Sequence, residues 1–295
     1  MKTEKNILIA FILNISFSIF ELFGGIFTNS VAIISDSIHD LVDAISIGIA
    51  YFLEKKSKRK PDENYTYGYQ RYSCLGAVIT NTILITGSIL VIYNAILRLL
   101  HPVDINYDGM IIFSLFGIII NFLASYITKK GESFNQKAVS LHMMEDVLGW
   151  VIVFIGSIVI KFTSFNLLDS ILSILVAFFI LINATKSFKE IFNVFLEKTP
   201  NGINISDIKK HLMEFEYIKN IHHIHVWSID GINNYATMHV VTDLSSTNKL
   251  KSEIKEEMHH FGINHTTIEF EGVNEKCDEL ECFNKIDAHH HHHHH

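Results

Sequence analysis

Six apolar stretches fill most of the first two thirds of the chain, at roughly Ile7–Phe27, Val31–Leu53, Ser73–Leu97, Gly109–Ile127, Ala138–Phe162 and Phe165–Phe188. A helix needs ~20 apolar residues to cross the hydrocarbon core of a bilayer. One such stretch is compatible with a buried core helix. Six in succession, divided by short polar breaks, predict an α-helical membrane protein with a six-transmembrane-helix bundle.

Lysine and arginine in the short connections predict its orientation. Lys2 and Lys5 precede the first stretch, Lys55, Lys56, Lys58, Arg59, Lys60 and Arg71 separate the second and third, and Lys129, Lys130 and Lys137 separate the fourth and fifth. The opposite connections hold only Arg98 and Lys161. Both termini are therefore expected in the cytoplasm. The net charge of −7 over 295 residues says little, because the charges are unevenly spread. Residues 1–190 carry the apolar runs, whereas residues 197–287 read as a polar, acidic soluble domain. An even number of spans places that domain in the cytoplasm too.

Several classes drop out. The run His289–His295 reads as a purification tag and is set aside from the 18 histidines. The three cysteines, Cys74, Cys277 and Cys282, do not make a disulfide framework. The first apolar stretch shows no cleavage site and carries Glu21, so no secretory signal is read there. No nucleic-acid motif or basic domain is present, so no nucleic-acid partner is expected.

Within the second stretch, Ser35–Asp43 places Asp36, His39, Asp40 and Asp43 among apolar residues. Each intramembrane charge costs at least ~2.5–3.5 kcal/mol on insertion scales. The cluster therefore needs partners, water or an ion. His39 and Asp43 are four apart and share a helix face. The fifth stretch repeats this spacing with His142 and Asp146. Two unrelated hydrogen-bonded pairs would also satisfy the pattern, but two identical pairs inside spans favour one shared site. Two imidazole nitrogens and two carboxylates suit tetrahedral Zn²⁺ at ~2.0–2.2 Å. Mg²⁺ and Ca²⁺ prefer six or more oxygens. Cd²⁺, Co²⁺, Ni²⁺ and Fe²⁺ are also compatible with such ligands. Protons compete with metal for imidazole nitrogen, which supplies the chemistry of a metal/proton exchange.

The pairing selects His39, Asp43, His142 and Asp146 as ligands and leaves Asp36 and Asp40 for support or proton relay. Glu21 is read as hydrogen-bonded within the bundle or near the outer interface. Asn121 is a candidate to support the site, and Asp169 reads as a cap or helix contact. The third stretch, with Gly76, Thr80, Thr82, Thr86, Gly87 and Ser88, reads as structural. Tyr65, Tyr67, Tyr69 and Tyr72 follow the basic loop and suit a membrane-interface belt.

In the soluble part, residues 205–216 read as an amphipathic helix with Ser206 or Asp207 as its start signal. Residues 218–229 and 235–243 read as strands, with Asn233 and Asn234 in the turn between them. Residues 247–260 read as a second helix and 263–271 as a third strand. The order α-β-β-α-β predicts a small α+β domain with helices on one sheet face. Strict alternation puts His223 and His225 on one face and His222 on the other. Cys277 and Cys282 are candidate thiolates from the chain's tail.

These motifs together resemble the cation diffusion facilitators, near the zinc-transporting branch. The resemblance rests on Ser35–Asp43, on Lys60-Pro61 with Tyr65–Arg71, and on His142–Asp146. In the soluble domain it rests on Thr199-Pro200 and His222–Trp227. It covers essentially the whole untagged sequence. It implies six spans, a homodimer and proton-driven export of divalent cations from the cytoplasm, with a metallochaperone-like cytoplasmic domain. It also implies that His222, His239 and Glu271, and less directly Glu269, match positions that bind regulatory metal in some members. The short connection Lys129–Lys137 lacks histidine, which leans toward a bacterial plasma-membrane protein.

The expected function is thus Zn²⁺ (or Cd²⁺)/H⁺ antiport, with zinc as cargo and no organic cofactor. The partners are the metal, protons, the lipid bilayer and a second copy of the chain. The alternatives are a membrane-embedded metalloenzyme and a metal sensor that does not transport. No His-Glu-x-x-His or nucleophile motif favours an enzyme.

Overall fold

The computed structural model of the protein describes residues 2–28, 31–100, 110–129, 131–163 and 167–275. The element order is α1 (Lys2–Thr28), α2 (Val31–Ser57), α3 (Arg71–Leu100), α4 (Met110–Thr128), α5 (Phe134–Thr163) and α6 (Leu167–Phe195). The smaller elements follow: α7 (Ile205–Leu212), β1 (Ile218–Ser228), β2 (Asn234–Thr242), α8 (Asn248–His260) and β3 (His265–Gly272). Two compact units result, one of residues 1–196 with 229–232 and the other of residues 197–228 with 233–295.

In the first unit four helices have segments long and apolar enough to cross a membrane: Thr3–Gly24, Arg71–Leu100, Phe134–Gly156 and Ser170–Phe195. Ser114–Thr128 in α4 is apolar but shorter among the described residues. In α2 the acids Asp36, Asp40, Asp43 and Glu54 interrupt the apolar run. Large apolar side chains cover the exterior, including Phe20 and Phe23 on α1, Phe116 and Phe122 on α4, and Phe178 and Phe179 on α6. Exposed apolar surface on this scale belongs against lipid rather than water.

Small residues let the helices approach. A Cβ on Gly117 would stand 2.6 Å from the Trp150 ring. That ring meets Phe17 edge-on at a centroid distance of 5.5 Å, so α1, α4 and α5 close around one indole. Glu21 is 1% exposed, so its carboxylate is buried within the unit.

The tyrosine-rich connection between α2 and α3 is built around Asp62. Its Oδ1 accepts the amides of Asn64 (3.0 Å) and Tyr65 (2.9 Å), and its Oδ2 accepts the Tyr69 hydroxyl at 2.6 Å. Tyr69 and Tyr72 stack at 5.8 Å, and Lys56 Nζ lies 4.0 Å from the Tyr72 ring centroid. The Tyr69 hydroxyl, followed by the Tyr65 amide, holds the Asp62 carboxyl below its usual range. This anchoring therefore persists at neutral and mildly acid pH and is lost as pH falls through that lowered range.

In the second unit the sheet order is β1-β2-β3, with β1 antiparallel and β3 parallel to β2. The parallel pair needs a crossover, which α8 supplies. Ile208 and Leu212 of α7 and Leu250, Ile254 and Met258 of α8 pack on Ile221, Ala236, Met238, Val240 and Ile268. Asn204 caps α7 by accepting the Ser206 amide at 2.9 Å. The cap thus precedes the start read at Ser206 or Asp207, and α7 ends at Leu212 rather than continuing to 216. Ile254 is fully buried, so Ile254→Ala should cost about 2–5 kcal/mol. Trp227 stacks on Tyr235 within this sheet at 6.0 Å, so with Trp150→Phe its fluorescence should follow denaturant unfolding of the sheet. An unchanged midpoint would contradict this core.

Candidate metal centres

Among the described residues, two clusters of metal-ligating side chains form, one in each unit. In the first, α2 carries Asp43, and α5 carries His142 and Asp146 one turn apart. Each offers one ligand atom, and these atoms all lie within 4.8 Å of one another. His142 Nε2 is 3.6 Å from Asp43 Oδ1. Asp43 is 3% and His142 2% exposed. Asp146 Oδ2 is buried with no hydrogen-bond partner among the described residues. A buried carboxylate oxygen left in this way is costly, and a cation would offset the cost. His39 lies in α2 four residues before Asp43, the spacing that shares a face; its side chain is outside the described part, as are those of Asp36 and Asp169.

A cavity of about 350 Å³ adjoins this cluster, lined by Asp43, His142, Glu145, Asp146, Trp150 and Arg98 among others. Arg98 sits in the last turn of α3, so the cavity extends from the cluster toward that end of the unit. Asp40 also lines it, whereas Asn121, read as a support for the site, does not. The third helix is more than a structural wall. Its Ser88 hydroxyl donates to Glu145 Oε1 at 3.4 Å, and Leu84, Gly87 and Val91 line the cavity. Glu145 follows His142 by three residues, and that spacing already signals a shared face.

The second cluster is His222, His239 and Glu271, whose ligand atoms also fall within 4.8 Å. Glu271 lies between the two rings. Its Oε1 is 2.6 Å from His239 Nδ1 and its Oε2 is 3.2 Å from His222 Nε2. Glu269 Oε2 approaches His239 Nε2 at 3.4 Å from a more exposed position. Pairing explains the arrangement: His222 is opposite His239, and His239 is opposite Glu269.

The strict alternation expected for β1 fails here. The β1–β2 register shifts between His222 and His225, and His223 has φ 49°. A bulge inserts one residue and re-aims its neighbours. His is among the non-glycine residues that tolerate this left-handed region. The His223 ring therefore comes beside His222 (5.4 Å) and stacks on His239 (4.8 Å), instead of pointing away from them. His225 is 6.3 Å from His223. Cys277 and Cys282 lie outside the described residues.

The comparisons with known proteins agree with both units. The cation efflux transmembrane domain model matches residues 7–196, and that of the cation efflux protein cytoplasmic domain matches residues 200–273. The chain is 34% identical to the cadmium, cobalt and zinc/H(+)-K(+) antiporter of Bacillus subtilis, covering 91% of this chain and 89% of that one. It is 32% identical to the metal cation efflux system protein CzcD of Cupriavidus metallidurans, over 95% and 91% of the two chains. It is 35% identical to the zinc transporter ZitB of Yersinia pseudotuberculosis, over 95% and 90%. The protein is therefore an integral membrane member of the cation efflux family, a cation diffusion facilitator from the branch that holds these transporters.

Proposed function

We propose that the protein exports Zn²⁺ (or Cd²⁺) in exchange for protons by alternating access through His39, Asp43, His142 and Asp146. The observation that carries this reading is the convergence of Asp43, His142 and Asp146 beside a cavity inside the apolar unit. Two carboxylates balance the charge of one divalent ion in a low-dielectric setting, and imidazole favours zinc over harder cations. Metal binding requires deprotonated ligands, so loading releases protons and unloading takes them up. The transmembrane unit would span the bilayer six times, with both termini in the cytoplasm, in the plasma membrane of a bacterium. The basic residues between α2 and α3 support that orientation.

The soluble domain, residues 197–287, would serve the dimer, with residues 289–295 as a tag. His222, His239 and Glu271 would bind a regulatory Zn²⁺, with Cys277 and Cys282 as further candidate ligands. Binding there would bias transport by favouring one arrangement of two cytoplasmic domains. No organic cofactor and no enzymatic step enters this scheme.

The test is flux in proteoliposomes holding the protein without its terminal histidines. Zn²⁺ accumulation should follow an imposed proton gradient and collapse when the gradient is dissipated. Absence of metal flux under every gradient would refute the reading and leave the sensor or enzyme alternatives. His142→Asp replaces nitrogen by oxygen and should shift the preference toward Mn²⁺ by about 10-fold or more relative to Zn²⁺. An unchanged metal ranking would mean that selectivity is set elsewhere.

A further inference from the structure

At the end of the first unit opposite Arg98, another buried carboxylate ties three segments together. Glu54, at the start of the last turn of α2, is 3% exposed. Its Oε2 accepts the Ser73 hydroxyl at 2.7 Å, the Asn135 amide at 3.3 Å and the Ser133 hydroxyl at 3.4 Å. Asn135 Nδ2 also donates to the Ala50 carbonyl at 2.7 Å, so it grips α2 twice. Lys58 Nζ lies 3.9 Å from Glu54 Oε1 and also reaches Glu4 of α1 at 3.8 Å.

The positions of the donors explain how a carboxylate is held there. Ser73 lies in the first turn of α3, Asn135 lies in the first turn of α5, and Ser133 immediately precedes α5. Two helix N-termini, each carrying partial positive charge, thus converge on one anion. Hydrogen bonds to a charged acceptor are stronger than neutral ones, and burial strengthens them further. Packing matches this arrangement: a Cβ on Gly76 would stand 2.5 Å from Asn135 Oδ1, so only glycine lets α3 lie so close to that amide.

Placement along the helices connects this cluster to transport. Eleven residues separate Asp43 from Glu54, about 16 Å along a helix axis, and seven separate Asn135 from His142, about 10 Å. None of Glu54, Ser73, Ser133 or Asn135 lines the cavity, which extends from the metal cluster the other way. The same three helices are therefore open on one side of the site and tied on the other.

We propose that Glu54 is the latch of the gate at the basic-loop end, and that access from that side requires its bonds to α3 and α5 to break. The inference relies on the transport reading only for what the opening serves. A carboxylate oxygen held, as Oε2 is, by neutral donors on separate helices suits a latch. It closes firmly when every donor is in place, and it is readily rehydrated once the helices part. Glu54 is a positioning residue: it acts on the path of the metal and not as a ligand at the transport site.

Cys74 is a built-in reporter. It is fully buried beside Ser73, among Ala77, Ala138 and Ile191 of α3, α5 and α6. With Cys277→Ser and Cys282→Ser it is the sole thiol of the three. In full-length protein in lipid nanodiscs without metal, Glu54→Ala should raise the rate at which a charged maleimide labels Cys74 by about 10-fold. That corresponds to about 1.4 kcal/mol in the gate equilibrium. Ser73→Ala removes the shortest bond with little change in volume and should act in the same direction, as should Gly76→Ala.

In a companion protein carrying Cys74→Ser and Ser173→Cys, the new thiol lines the cavity, and Glu54→Ala should lower its labelling. Reciprocal change at the two positions is the signature of a gate. Unchanged Cys74 labelling in both Glu54→Ala and Ser73→Ala would overturn the proposal. So would a rise at both reporters, which is local loosening. If Glu54→Ala does not fold, Ser73→Ala and Gly76→Ala decide the question on the same readouts. Labelling needs no cargo, so a protein that fails to move Zn²⁺ sinks the transport reading and leaves the latch to its own result.

Discussion

Asp43→Asn and Asp146→Asn are each expected to reduce Zn²⁺ flux in proteoliposomes by at least about 100-fold, since even outer-shell changes at metal sites cost 10–100-fold. The same substitutions should leave the metal-free protein as stable as the parent, or more so. Asp43 and Asp146 face each other near Asp40 and Glu145, around one buried cluster. Without cargo, like charges in a low-dielectric site repel and each keeps its desolvation cost. Removing one charge relieves both effects, while the amide preserves the shape.

Loss of activity with retained or raised thermal stability is the pattern of a site built for a ligand rather than for the fold. Zinc should separate the proteins further. A ligand at 100 times its Kd stabilises the native state by about 2.7 kcal/mol, so the parent's melting temperature should rise with Zn²⁺. To isolate this effect, the cytoplasmic cluster is first disabled with His222→Ala. Variants that kept near-parental flux, or melted well below the parent without metal, would contradict the assignment of Asp43 and Asp146.

The second large effect is expected in the soluble unit. In full-length protein made transport-silent by Asp43→Asn and stripped of its terminal histidines, one Zn²⁺ per chain should remain bound. His222→Ala or Glu271→Gln should weaken that binding by about 100-fold or more, because each removes or neutralises a direct ligand. Glu271 is the sharper probe. It is 7% exposed and contacts both imidazoles, so it orients the pair before metal arrives. Binding should weaken as pH falls, because protons compete for the imidazole nitrogens. Isothermal titration gives both quantities. Zinc binding unaffected by both substitutions would contradict a metal site at His222, His239 and Glu271.

His223 refines this prediction. Its ring stacks on His239, but it is not one of the three clustered ligands. His223→Gly should therefore retain the bulge and most of the zinc affinity, since glycine accepts positive φ without steric strain. His223→Val should weaken binding through the backbone, because a β-branched residue is a genuine outlier at φ 49°. The two substitutions separate the backbone role of this position from any role of its ring.

Much of this protein is legible along the chain. Long apolar runs can satisfy their backbone in lipid only by coiling into helices, so α1, α3, α5 and α6 follow from composition. The i, i+4 spacing of His142 and Asp146 places both on one side of α5 before any neighbour is known. In the soluble unit, period-2 alternation and turn residues yield the order α-β-β-α-β that is observed. Local periodicity carries this information because it is fixed by helix and strand geometry.

What the chain order does not carry is which distant segments meet and where regular geometry is broken. Alternation puts His222 and His223 on opposite faces, and the one-residue bulge in β1 reverses that outcome. Bulges arise from pairing with a particular partner strand, and no periodicity encodes them. Glu145 was readable as a neighbour of His142, but its bond to Ser88 depends on how α3 packs against α5. Glu54 shows the limit most plainly. In the sequence it is one acid among basic residues at the end of an apolar run. Only tertiary structure brings it Ser73, 19 residues away, and Asn135, 81 residues away, so that helix packing rather than local pattern makes a solvated charge into a buried tie between three segments.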